Sequence, residues 1–147
     1  MGGAAVVVGI AVAPARYSHQ LIREAGEFVL NLPTAALAEK VDRCGTTSGR
    51  TVNKFDAFGL TPLPALRVRP PLVAECPLNL ECRVIGQHSI GDHDLFLGEV
   101  LVQHVDAQCM DAEGRVDVRA LDPLCYVRGE YYRLGEYLGR HGFTRRR

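Results

Sequence analysis

The sequence predicts a mainly β protein with short α-helices, its strands antiparallel and wrapped into a closed or partly closed barrel. Three observations carry this. From Leu78 the chain alternates, with Leu80, Cys82 and Val84 on one face and Asn79, Glu81 and Arg83 on the other, the period of a half-buried antiparallel strand. A second strand-like run, "LFLGEVLVQHVDA", follows the separator "GQHSIGDHD", so the two runs read as a hairpin. Five or more strand patterns stand against two or three short helical ones. A sheet of that size exposes unpaired edges, which closure removes.

Taken in order, Ala4 to Ala13 is apolar and reads as a buried strand that begins abruptly. It has no preceding Lys or Arg, unlike an export signal, and falls short of the ~20 apolar residues that span a membrane. Pro14 ends its ladder because it has no N–H to donate. Ser18 is expected to cap a helix reaching about Glu24, with Leu21, Ile22, Ala25 and Phe28 near one face and Gly26 as its stop. "EFVLNLP" is a short strand. Thr34 opens a second helix carrying Leu37, Val41 and Cys44, closed by Gly45 in a left-handed conformation. Asn53 caps a short turn bearing Phe55 and Phe58, closed by Gly59. Leu66 and Val68 suggest a brief edge strand before Pro70-Pro71. Gly98, inside the second long strand, marks a bulge or a close approach of backbone to something else. "DAEGRVD" is a polar turn, and a last strand is expected around Glu130 to Leu134.

Composition narrows the function classes. With 147 residues, 47% apolar and 23% charged, the chain is long enough for one domain with a real core. Residues 1–143 are expected to form that domain and 144–147 a basic tail. Lys plus Arg equals Asp plus Glu at 17 each, so charge gives no reason to expect nucleic acid. Nothing predicts a membrane anchor. Five cysteines, an odd number without a CxxC pair, read as free thiols in a reducing, cytoplasmic compartment. His88, His93 and His104 lack metal-site spacing and read as structural or surface residues, so no metal is expected. Asp92, His93 and Asp94 read as a hydrogen-bonded turn.

Two stretches carry chemistry. In "CGTTSGRTVNKF", residues 44 to 55, Ser48, Gly49, Arg50 and Lys54 combine a hydroxyl, a Gly-containing turn, a guanidinium and an ammonium, the groups a phosphate needs. The same stretch also reads as a solvated surface loop, and it begins at a helix C-terminus, whose dipole disfavours an anion. Arg16, Tyr17 and Ser18 lie where a strand enters a helix N-terminus, which leaves first-turn N–H groups free. Alone, that junction is as consistent with plain capping. If the fold brings it against residues 48 to 54, the two become one anion site. Cys44 is a candidate nucleophile or a buried thiol; His19 and His141 stand apart from the other histidines. Tyr126, Tyr131, Tyr132 and Tyr137 suit a subunit interface or a planar cofactor.

"PARYSHQLIREAGEFVLNLPT", "VDRCGTTSGRTVNKFDAFGLTP", "CPLNLECRV", "GDHDLFLGEV" and "YYRLGEYLGRHG" together resemble the flavin reductase-like family, its flavoredoxin-type members above all, from about Val7 to Phe143. The resemblance implies an FMN-binding split barrel working as a homodimer, with flavin sites near the subunit interface. It matches Arg16, Tyr17 and Ser18 to the segment lining the flavin, and Ser48, Arg50 and Lys54 to the loop at the FMN phosphate. It also matches Cys44 and His141 to residues close to the cofactor, the two catalytic candidates. The implied activity is transfer of reducing equivalents from NAD(P)H through flavin to flavin or another acceptor, the partner being a nicotinamide donor or a redox protein. One departure stands out: Met1 arrives where the family's first strand and an Asn-rich segment touching the flavin have already passed. A non-catalytic or weakly flavin-binding structural homodimer is the alternative this leaves.

Overall fold

The computed structural model describes residues 4–145; Met1 to Gly3 and the last two residues of the expected basic tail, Arg146 and Arg147, lie outside them. The elements run β1 (Val7–Val12), α1 (Tyr17–Ala25), β2 (Glu27–Leu32), α2 (Ala38–Thr46), α3 (Lys54–Phe58), β3 (Pro62–Leu63), β4 (Leu72–Val73), β5 (Leu78–Ile90), β6 (His93–Val105), α4 (Val118–Leu121), β7 (Leu124–Val127) and β8 (Glu130–Arg133). Short 3-10 turns occupy Ala35–Leu37 and Ala107–Cys109. The main sheet is antiparallel in the order β1-β6-β5-β2, with β3-β4 and β7-β8 as separate two-stranded ribbons. The fold is mainly antiparallel β with short helices, as the sequence predicts.

The β5–β6 hairpin is the spine. It is longer than expected, because "GQHSIGDHD" is not a separator: pairing continues from Gly86↔Leu97 to Ile90↔His93. Only Gly91 and Asp92 remain for the turn, and Gly91 at φ 61 supplies the positive angle that a two-residue hairpin requires at its first position. Gly98 shows the expected close approach. A Cβ placed there would lie 2.5 Å from Phe28 Cζ and 3.0 Å from Cys82 Cβ, so the β2 ring packs directly on the β6 backbone. Phe28, Cys82 and Phe96 form the centre of the core, the last two fully buried.

Polar residues also enter the interior, contrary to the alternating pattern. Asn79 and Glu81 were expected to face water, yet both are buried. Burial is tolerated because their hydrogen bonds are made. The Glu81 carboxylate accepts from the backbone N–H of Leu66 (3.0 Å), Arg67 (2.6 Å) and Val68 (3.3 Å), and pairs with His104 Nε2 at 2.5 Å. Asn79 Nδ2 donates to Asn31 Oδ1 at 2.6 Å and to the Val73 carbonyl at 3.2 Å. These two side chains fasten the proline-rich crossover to the sheet. They also explain why Leu66 to Val68 form no strand: their N–H groups are taken by a carboxylate.

Three further expectations need correction. β1 is paired on one side only and half exposed, with Val7 46% accessible, because no described element covers its outer face. Arg16, not Ser18, is the N-cap of α1, and it caps through no side-chain bond; Ser18 falls inside the first turn. Thr34 opens a 3-10 turn that leads directly into α2 and also bridges to Pro123, but α2 runs through Gly45 to Thr46. Thr46 Oγ1 donates to the Asp42 carbonyl at 3.0 Å, which satisfies the last turn without a left-handed glycine. The Gly26 and Asn53–Gly59 boundaries stand as read: Gly26 N–H donates to Ile22 O, and Asn53 Oδ1 accepts from Phe55 N and Asp56 N. β8 lies where a last strand is expected, but its partner β7 went unforeseen. No helix among the described residues is long and apolar enough to cross a membrane.

His19 fixes the position of α1. Its Nε2 lies 2.6 Å from Asp94 Oδ2, both side chains being buried, and its ring meets Phe96 edge-on at 5.2 Å. Gln87 Nε2 donates to the same Asp94 oxygen at 3.0 Å. The hydrogen bonds from His19, Ser89 and Gln87, in that order, hold the Asp94 carboxyl below the usual carboxylate range. The first turn of α1 is thereby tied to the start of β6.

Candidate anion-binding cleft

The start of α1 and the loop between α2 and α3 face one another across a cleft of about 1170 Å³. Arg16, Tyr17 and Ser18 line one side; the segment from Cys44 to Phe55 lines the other. The two stretches singled out in the sequence therefore do converge. The lining carries three cations, Arg16, Arg50 and Lys54, and no carboxylate. The first-turn amides of α1 add the positive end of a helix dipole.

The loop is shaped by its own hydroxyls. The Ser48 carbonyl accepts from Thr51 N (3.3 Å), Val52 N (3.2 Å) and Thr51 Oγ1 (3.3 Å), while Ser48 Oγ accepts from Arg50 N at 3.2 Å. This tight turn leads straight into the Asn53 cap of α3. Lys54 then reaches back, its Nζ donating to the Cys44 carbonyl at 2.5 Å. The α2 C-terminus, an unfavourable neighbour for an anion, is thus covered by an ammonium that keeps two further donors.

Arg50 bridges the cleft's two walls. Its guanidinium stacks over the Tyr17 ring at 4.7 Å, and its Nη2 donates to Gln20 Oε1 at 3.2 Å. Tyr17 also packs on Gly49, where an added Cβ would lie 3.3 Å from the ring. Gln20 was not legible as a site residue. The available signal is spacing: Tyr17, Gln20 and Glu24 recur at three and four along α1 and so share a face.

The catalytic candidates fare differently. Cys44 is half-buried in the cleft lining. His141 lies in an exposed turn over residues 141–144 and is not among the residues that line the cleft. All five cysteines are free, and burial pushes the Cys76 and Cys82 thiols up to about 11, which leaves them protonated at neutral pH. The tyrosines divide as well. Tyr131 donates to Asp42 at 3.2 Å, tying β8 to α2, whereas Tyr126, Tyr132 and Tyr137 are exposed, as are Leu138 and Phe143.

Comparison with known proteins agrees with this architecture. Residues 5–135 match the family model described as the flavin reductase like domain. The flavoredoxin of Desulfovibrio vulgaris (Miyazaki F) superposes with a TM-score of 0.87 at 31% identity, over 94% of this chain and 75% of that one. A split barrel domain protein from Shewanella frigidimarina superposes at 0.82 with 22% identity, over 95% and 72% of the two chains, a likeness of fold. An uncharacterised protein of Archaeoglobus fulgidus is 45% identical over 102 residues, covering 69% of this chain and 58% of its own length. The chain spans about half the length of the curated relatives it matches. The expected split β-barrel is the fold of these structural neighbours.

Proposed function

The chain belongs to the flavin reductase-like family, and from that premise we propose that it binds FMN and acts as an oxidoreductase, passing reducing equivalents from NAD(P)H to a flavin or another acceptor. The observation that carries the proposal is the convergence of Arg16, Arg50 and Lys54 on one cleft free of carboxylates. A phosphate monoester suits such a lining: it carries close to two negative charges and offers several acceptor oxygens. Arg16, Tyr17, Ser18, Ser48, Arg50 and Lys54 are the residues that would hold the flavin, with the phosphate on the cations and the α1 amides.

When bound, flavin supplies the hydride and electron chemistry. The chain's own contribution is position and charge. Lys54 offsets the α2 dipole, the Ser48–Thr51 turn fixes the loop, and the His19–Asp94 pair holds the α1 N-terminus in place. Cys44 is the one catalytic candidate beside the cleft in a single chain. His141 would join only from a second copy. A homodimer is part of this proposal, and the exposed Tyr137, Leu138 and Phe143 near the C-terminus are apolar side chains that such an interface would bury. The same exposed side chains would serve the second reading, a structural dimer with weak flavin binding.

Gel filtration with added FMN, followed by absorbance spectra and a nicotinamide oxidation assay, separates the two. Co-eluting flavin bands and FMN-dependent oxidation support the oxidoreductase; a colourless dimer supports the alternative. Lys54→Ala and Ser48→Ala are each expected to weaken FMN binding, the former about tenfold. Unchanged affinity in both overturns the phosphate assignment.

A further inference from the structure

Arg50 is on an exposed loop, and a long side chain in such a place normally samples many rotamers. Here it is held from two sides by one helix. The Tyr17 ring supports the guanidinium face, and Gln20 Oε1 takes one N–H. Gln20 is itself oriented, because its Nε2 donates to Glu24 Oε1 at 2.8 Å. An amide whose NH₂ is engaged by a carboxylate can present only its oxygen to Arg50, so Glu24 sets the polarity of the contact. The three residues lie three and four positions apart on one α1 face, and together they grip a side chain thirty positions away. The guanidinium has five N–H donors and this contact uses one, which leaves four for an anion.

We propose that Gln20 is a positioning residue for the phosphate end of the cleft: with Tyr17 and Glu24 it holds Arg50 in place before ligand arrives, so that phosphorylated flavin is favoured over unphosphorylated flavin. This rests on the FMN reading above and adds a residue that contacts no ligand itself. Pre-ordering a side chain that would otherwise be immobilised on binding raises affinity without a new ligand contact. The preference acts only on the phosphate, since Gln20 operates through Arg50.

The test measures dissociation constants for FMN and for riboflavin, by quenching of flavin fluorescence, in the parent protein, Gln20→Ala, Arg50→Ala and the double variant. Gln20→Ala is expected to weaken FMN about three- to tenfold, the range for freeing one rotamer-rich side chain, and to leave riboflavin unchanged. In the Arg50→Ala background the Gln20 substitution is expected to have no further effect. Equal loss for FMN and riboflavin would mean a general effect on α1 and overturns the proposal, as does an unaltered FMN affinity. A Gln20 effect that persists without Arg50 overturns it too. An Arg50→Ala variant that binds FMN as tightly as the parent overturns the proposal while leaving the FMN reading standing; the FMN reading fails separately, by the parent protein showing no saturable quenching with FMN.

Discussion

Replacing Glu81 with alanine is expected to be among the most damaging single changes in this fold. The side chain is fully buried, and its two oxygens receive three backbone N–H groups and His104. Hydrogen bonds to a charged acceptor contribute about 1.5–3 kcal/mol each, and removing one member of a buried ionic pair costs about 3–5 kcal/mol. The sum of four such bonds overstates the loss. Leu66 and Arg67 are only partly enclosed and would recruit water, leaving the buried Val68 amide and His104 as the main casualties. About 4 kcal/mol is the working value, a large share of the 5–15 kcal/mol total of an ordinary domain. With a urea slope near 2 kcal/mol/M, the unfolding midpoint should fall by about 2 M. Glu81→Gln keeps an acceptor oxygen and should lose about half as much. Hydrogen exchange should locate the damage, with the Leu66, Arg67 and Val68 amides losing protection ahead of the β5–β6 ladder. A Glu81→Ala midpoint within about 0.5 M of the parent would refute the reasoning, since the carboxylate would then not be what holds the crossover.

Gly98→Ala would force a methyl against Phe28 Cζ, Phe28 Cε1 and Cys82 Cβ, and overpacking of this kind costs about 1–3 kcal/mol. The companion change Phe28→Leu should recover part of that loss in a double-mutant cycle, and strict additivity would argue against the contact. Acid sensitivity follows from two carboxyls held below their ordinary range. Asp94 is lowered chiefly by His19, whereas at Glu81 burial acts upward and is outweighed by His104 and the Leu66 and Arg67 amides. A depressed carboxyl stabilises the fold above its unfolded pKa, and that stability is lost as pH falls through the folded value. The contribution is therefore complete above about pH 5 and declines below about pH 4. Asp94→Asn should flatten the fall of the urea midpoint below about pH 4; an unchanged slope there would count against the pairing.

Local punctuation was the most legible part of the sequence. Asn53, Gly26 and Gly59 act through backbone geometry that neighbours in sequence decide, and Gly98 announces a close approach by lacking a side chain. What escaped reading depends on partners far along the chain. Asn79 and Glu81 look like solvent-facing residues until Asn31, His104 and the 66–68 amides arrive to satisfy them. The Leu66–Val68 strand failed for the same reason seen from the other side. Gly45 reads as a stop because glycine so often ends helices, yet Thr46 donates its hydroxyl to the last turn instead. In the cleft, the composition of each wall was readable and their meeting was conditional. The Arg50 contacts with Tyr17 and Gln20 span at least thirty positions and leave no local pattern. His141 shows the converse, a position noticed for its neighbours but left outside the cleft by the single chain.

The central claim is that two separate segments jointly hold the phosphorylated end of a flavin, and an amide-resolved NMR titration of the labelled protein with FMN tests it most directly. Saturable shifts are expected at Tyr17 and Ser18 in α1 and at Ser48, Gly49 and Arg50 in the loop, all reporting one dissociation constant, with riboflavin moving them far less. Shifts confined to one segment, or clustered on a different face of the barrel, would contradict the account.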